Sequence, residues 1–285
     1  MPVPAPNPPW DNDAVLTPIR TSLCLLLLLL SAPSAVHAQG KLEARYRASL
    51  AGLPIGKGSW VIDIGDAHYT AAASGMTTGL IKLFVGGRGT GAAQGTMASG
   101  RSVASNYSAT IHAGRHTDEI RMIVAGGNVK DFKVEPPQEP NPKRIPVTDA
   151  QRRGVMDPMT ASLVVMPGSG EMRSPQVCDR TLAVFDGKLR YDLKLAYKRT
   201  ETVKAEKGYS GPAVVCSVTF LPVSGFIPSR AAVRYLSKSE DIEVWLAPIT
   251  GTRVLVPFRA QVETPFGLGV VEATQFVANK TGKAQ

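Results

Sequence analysis

The sequence predicts an all-β fold, an antiparallel sheet with one short helix, and three observations predict it. The first is strict alternation of apolar and polar residues. Leu42, Ala44, Tyr46, Ala48 and Leu50 alternate with Glu43, Arg45, Arg47 and Ser49. The same pattern recurs from Lys188 to Tyr197 and from Arg253 to Val262. A period of two gives a strand one apolar and one wet face, which suits antiparallel sheets rather than buried parallel ones.

The second observation is the turns. Asp186-Gly187 separates Thr181–Phe185 from the strand Leu189–Tyr197, the signature of a hairpin with a type I′ turn. Ala125-Gly126-Gly127-Asn128 stands in the same way between Ile120–Val124 and Val129–Val134. Further strands are expected at Ser59–Ile64, Tyr69–Ser74, Leu80–Val85, Tyr107–Ile111, Val214–Phe220, Ala231–Leu236 and Ile242–Leu246.

The third is the scarcity of helix signals. Asp157-Pro158 offers an N-cap and a proline at the first helical position ahead of Met159–Met166, and Pro167-Gly168 stops the run. One short helix follows, placed to plug the apolar face of the sheet. Pro136, Pro137, Pro140, Pro142 and Pro146 cannot donate to a ladder, so 136–147 reads as a connector. Residues 39–285 are then one β-rich domain, or two halves joined there.

Residues 1–38 read as a cleaved secretory signal. Arg20 precedes an apolar run from Leu23 to Leu30, and the small residues Val36 and Ala38 sit at −3 and −1 of a cut before Gln39. The run is too short to span a bilayer, so no transmembrane anchor is expected after processing. The stretch before Arg20 is rich in proline, which suggests a start codon placed too far upstream.

The chain carries a formal net charge of +9, and the leader holds one arginine against two aspartates, so the remainder is more basic still. Those cations are spread over alternating wet faces. Aromatics are only 6% and no long basic run occurs, which argues against a nucleic-acid platform. Anionic envelope material is the partner class that such a surface attracts.

Cys178 and Cys216 remain after cleavage, and an even pair in an oxidising compartment favours a disulfide over two buried thiols. Strand register creates a difficulty. The Asp-Gly hairpin sets Cys178 near Leu195, with Cys216 on the other side of that strand, about 9.6 Å away. The bond therefore requires Cys178 to leave the ladder, which the nearby Pro175 favours, or a later strand to pair elsewhere.

Motifs for chemistry are weak throughout, and neither cofactor nor metal is expected. His112 and His116 are four apart, but between strands that spacing is about 13 Å, and polar turn residues are the simpler reading. Gly87–Ala92 fits G-x-G-x-x-A by letter without the strand-to-helix setting of a dinucleotide site. Gly208-Tyr209-Ser210-Gly211-Pro212 fails the nucleophile elbow at its fifth position. Asp63 with Asp66, and Glu240, Asp241 and Glu243, read as exposed hairpin charges rather than acid–base pairs.

Several fragments taken in order resemble a known family. They are Ala51-Gly52-Leu53-Pro54-Ile55-Gly56, Thr78–Phe84, Asp157-Pro158-Met159-Thr160-Ala161, Val184–Leu193 and Val244-Trp245-Leu246. Their order and spacing resemble the secreted bacterial proteins of domain of unknown function family 3108, over most of residues 42–275. The resemblance implies a periplasmic all-β protein of unassigned activity, related to curved half-barrel lipoprotein carriers, and supplies no catalytic residues. Ala247-Pro248 follows Trp245-Leu246 where the family pattern has Ser-Asp, which puts that hairpin in doubt.

The expected architecture is thus a curved antiparallel sheet, half-barrel or sandwich-like. The expected function is non-enzymatic binding of a lipid-like ligand or an apolar partner segment on that sheet. Tyr46, Trp60, Tyr191, Tyr197 and Trp245 are the candidate lining residues, although a packed core claims the same side chains. The alternatives are an interaction module for envelope integrity that binds protein or glycan, and, third, a hydrolase.

Overall fold

The computed structural model describes residues 39–79, 86–98, 100–166, 168 and 170–280. The leader and the strand expected at Leu80–Val85 lie outside the described residues. The N-terminal half is a meander of β1 (Gly40–Leu50), β2 (Leu53–Ile64), β3 (His68–Thr77), β4 (Gly87–Ala98), β5 (Arg101–Ala113), β6 (His116–Ala125) and β7 (Asn128–Glu135). After the connector come α1 (Pro158–Ala161), β8 (Val164–Val165), β9 (Arg180–Phe185), β10 (Arg190–Lys204), β11 (Lys207–Gly208) and β12 (Ser210–Ser224). The chain continues through α2 (Ala231–Leu236), β13 (Glu243–Pro248), β14 (Val254–Thr264) and β15 (Gly267–Asn279).

All these strands belong to a single 15-stranded sheet in the order β7-β6-β5-β4-β3-β2-β1-β15-β14-β13-β12-β10-β9, with β11 beside β15 and β8 beside β14. The first and last strands meet in its middle, where Leu42 opposes Ala278 and Ala44 opposes Phe276. One ladder therefore runs across both sides of the proline-rich connector.

The sheet coils until its two end strands face each other. Phe132 of β7 meets Phe185 of β9 edge to face, with ring centroids 5.5 Å apart. Lys188 reaches Asp118 at 2.7 Å across the same gap. No ladder joins β7 to β9, so the sheet stays open. Instead Val155 N–H donates to Gly127 and Met156 N–H to Ala183, lacing residues 155–156 between the ends.

From β1 to β6 the apolar face is the inner one, whereas β12–β14 bury both faces, Val214, Cys216, Leu246 and Leu255 packing in a second cluster with Val177 and Cys178. Across the strands, Phe276, Ala44, Trp60, Ala73, Gly91, Ala109 and Ile120 stand in register as one inward row. The next row is Tyr46, Gly58, Gly75, Gly89 and Ile111. Three adjacent glycines remove the side chains that would crowd the inside of a bend, a recognised device for curving a sheet. The letter match at Gly87–Ala92 is part of β4, and a Cβ on Gly91 would meet Met159 Sδ at 3.2 Å, so its glycines serve close packing.

The hairpin at Asp186-Gly187 forms with a different turn. Phe185 pairs with Arg190, leaving a four-residue loop, and only Gly187 has positive φ. Asp186 Oδ1 accepts from the N–H groups of Lys188 and Leu189, closing the loop from the side chain. At Gly126-Gly127 both residues do have positive φ, as a two-residue I′ turn needs.

Two expectations about helices are corrected. α1 ends at Ala161 rather than continuing to Met166, because the β-branched pair Val164-Val165 forms a ladder with Leu255 and Val254. Residues 231–236 are helical, not a strand, giving two short helices in place of one. Both neighbours of β12 are already in place, so this excursion has no strand to join and satisfies its backbone within itself. Ala247 and Pro248 stay in the β13–β14 ladder opposite Val256 and Leu255. Among the described residues no helix is long and apolar enough to cross a membrane.

Candidate functional site: an apolar concavity beneath β1–β3

Packing is dense where aromatic rings fill the coil. Phe258, Phe276 and Tyr209 cluster with centroids 5.5–6.3 Å apart. α1 enters beside them, pinned by its cap: Asp157 Oδ1 accepts from Met159 N–H and Thr160 N–H, both at 2.9 Å. Thr160 Oγ1 lies 2.5 Å from the Tyr69 hydroxyl on β3 and donates to Asp157 Oδ2.

Filling stops under the ends of β1, β2 and β3. There Tyr46, Ala48, Gly56, Gly58, Trp60 and Ala73 bound a cavity of about 530 Å³, completed by Pro257 of β14 and Val271 of β15. Small residues at the inward positions create the volume: Ala48 opposes Gly56, which opposes Thr77. The size falls within the range of small-molecule sites. It is open to solvent, and Val271 on its rim is 44% exposed.

Two of the five candidate lining residues meet here. The Tyr46 hydroxyl donates to the Pro257 carbonyl at 2.8 Å, and burial pushes its phenol well above the usual range, so it stays neutral. Trp60 is buried beside it, and its indole N–H has no acceptor among the described residues. The residues around it include a few hydroxyls and Lys57, which the register places on the outer face of β2, and no carboxylate or imidazole. Such a surface sorts ligands by shape and apolarity.

The other three lie elsewhere. Tyr191 packs on Phe220 at 5.4 Å, and burial, with the charge of Asp186 nearby, raises its phenol. Tyr197 is 42% exposed at an irregularity in β10, where the register against β12 shifts between Tyr197 and Arg199. Tyr197 itself keeps the face of Leu193 and Leu195, and the faces exchange only beyond it. Trp245 is buried under a charged lattice: its indole donates to Glu201 at 2.6 Å, and the Arg259 guanidinium lies 4.7 Å from its ring.

That lattice was not legible in the sequence. Glu243, expected as an exposed hairpin charge, is 6% exposed and accepts from Lys198 at 2.6 Å and Arg199 at 2.9 Å. The Arg199 hydrogen bond, opposed by burial and aided by Lys198, holds its carboxyl below the usual range. Its partners are 44 and 45 residues away in sequence, so only the register of β10, β12 and β13 discloses it. His112 bonds Thr117 while His116 opposes Ala113, which sets the two imidazoles on opposite faces of the hairpin.

Cys178 and Cys216 are joined, with Cα atoms 5.6 Å apart. The register difficulty is resolved by the first route: Cys178 follows a 3₁₀ turn at Pro175–Val177 and precedes β9, so it stands outside the ladder.

The fold and the concavity define an all-β protein whose open, coiled sheet has an unfilled apolar pocket. The chain belongs to the family described as protein of unknown function (DUF3108), whose model matches residues 45–274. No protein of curated function matches it in sequence. Among solved structures it is similar to a β-barrel-like protein of domain of unknown function DUF1849 from Brucella abortus, at 7% identity and a TM-score of 0.47. That likeness covers 85% of this chain and 98% of the other. A second is a "putative lipoprotein" from Parabacteroides distasonis, at 11% identity and a TM-score of 0.30, covering 84% of this chain and 95% of the other.

Proposed function

We propose that this is an exported, non-enzymatic protein of the cell envelope that holds a lipid-like ligand, or an apolar segment of a partner, in the concavity beneath β1–β3. The observation that carries the reading is the pocket itself. About 530 Å³ is left open beside Tyr46 and Trp60, in the same coil where Tyr209, Phe258 and Phe276 pack ring against ring. An open volume with hydrocarbon walls is unfavourable to wet, and an apolar ligand gains roughly 25 cal/mol for each Å² it buries there. Export is supported by the leader pattern and by a disulfide, which persists in oxidising compartments.

The test is titration with a fluorescent long-chain fatty acid. Ala73 points into the cavity, and Ala73→Phe fills it. Wild-type protein binds the probe saturably, and the variant binds it ~tenfold or more weakly, since a ring displaces most of the buried contact. Ala48→Phe repeats the test from the opposite wall. Equal binding by wild type and both variants places the probe elsewhere and removes this reading.

A further inference from the structure

We infer that the end of the sheet at which the pocket opens docks on an anionic lipid bilayer, with two hairpin tips entering the headgroup layer. The inference rests on the pocket reading and adds the partner surface across which a ligand would pass.

Antiparallel order brings the close of β1, β3 and β14 and the start of β2, β4 and β15 to one end. The hairpins β1–β2 and β14–β15 stand side by side there, since Leu50 opposes Gly269 and Ala51 N–H donates to Leu268. Their tips carry Leu53 at 70% and Phe266 at 79% exposure, the two most exposed large apolar side chains among the described residues. Between the same strand ends Met76 is half exposed on the outer face, and Ile111 is 44% exposed on the inner one. Scattered apolar residues need no account, but a concentration at one end beside a cavity mouth does.

Directly behind the tips stand three cations, Arg47, Lys57 and Arg88, in one outer-face row that Met76 and His112 complete over five strands and that Glu272 of β15 continues opposite Arg47. Like charges opposite each other, as at Arg47 and Lys57, weaken a sheet when nothing neutralises them. Arg47 is paired with Glu206, whereas Lys57 and Arg88 have no ion-pair partner among the described residues. The nearby carboxylates are Glu263, opposite Leu268 beside the tips, and Glu272, which lies 3.8 Å from Arg259. Apolar tips ahead of these cations match the layers of an anionic membrane surface, where headgroup charge lies outside the acyl region.

The experiment is co-sedimentation of the purified protein with vesicles of phosphatidylethanolamine and phosphatidylglycerol, against vesicles of phosphatidylcholine alone. Binding is expected on the anionic vesicles, weakened by salt, and reduced ~tenfold by Leu53→Ser or Phe266→Ser. Both side chains are solvent-exposed, so thermal unfolding should be unchanged. Lys57→Glu with Arg88→Glu should abolish the preference for anionic lipid. Absence of binding, or binding that the tip substitutions leave unaltered, overturns the inference. A protein that carries ligand yet ignores vesicles defeats this inference alone, and one that binds vesicles with an empty pocket defeats only the pocket reading.

Discussion

The Tyr69 hydroxyl on β3 lies 2.5 Å from Thr160 Oγ1 on α1, and this contact ties the helix to the sheet around it. Behind Thr160 stands Asp157, fully buried, accepting the N–H groups that open the helix. Burial raises the Asp157 carboxyl above its ordinary value, and the hydrogen bonds from Thr160 and Met159 offset this only in part. A raised folded value means that stability is fully present below the ordinary carboxylate range and is lost as pH rises through the raised value. Asp157→Asn keeps the cap acceptor and removes the charge. It should match or exceed wild type at neutral pH and flatten the acid-range pH dependence. Asp157→Ala should cost ~2 kcal/mol through the lost cap and stranded donors. Urea unfolding at a series of pH values checks both.

Glu243 should act in the opposite sense. Its carboxyl is held low, so its contribution is present above the ordinary carboxylate range and disappears as pH falls through the lowered value. Glu243→Gln should cost ~1–3 kcal/mol at neutral pH, since a buried partner is removed but the facing Lys198 and Arg199 are 38–40% exposed and keep part of their hydration. The difference should vanish in acid. Denaturant unfolding of wild type and variant at neutral and acid pH measures it.

Cys178 and Cys216 are 38 residues apart in sequence. Closing such a loop stabilises by roughly 4 kcal/mol on the chain-entropy account. Reduction, or replacement of both by alanine, should lower the unfolding midpoint accordingly while β-sheet circular dichroism at low temperature persists. No loss of stability on reduction would show that local packing, not the bond, holds residues 178–182 against β10.

Gly95 has the least room of the glycines in β4. A Cβ there would lie 2.1 Å from the Val103 carbonyl and 2.7 Å from the Tyr69 ring. The carbonyl is backbone and cannot swing aside, so Gly95→Ala should destabilise by ~2 kcal/mol or more. Gly114→Ala is the control for conformation alone: its positive φ is strained, but no atom lies within 4 Å of the new methyl. Thermal unfolding of the two variants separates collision from backbone strain.

Strands were legible where one face is wet, because alternation records which side meets water; β1, β10 and β14 all announced themselves so. The N-cap at Asp157 and the departure of Cys178 from the ladder were legible too, each from local stereochemistry. The stop of α1 was not, since Val164-Val165 answers to Val254 and Leu255, about ninety residues on. Tyr197 does share a face with Leu193 and Leu195, opposite Phe220, Val218 and Cys216, yet it is 42% exposed, and alternation alone does not say which residues of a face end up covered. The pocket was half legible. Tyr46 and Trp60 were singled out as aromatics on inward positions, but the empty space comes from Ala48, Gly56, Gly58 and Ala73, which converge only once β1, β2 and β3 are in register.

The central claim is that the space beside Tyr46 and Trp60 is occupied by an apolar molecule when the protein is at work. Native mass spectrometry of protein purified without detergent, before and after incubation with a long-chain fatty acid, tests it most directly. The account predicts a one-to-one complex with wild type that Ala73→Phe fails to form. The bare polypeptide mass from wild type under both conditions would contradict it.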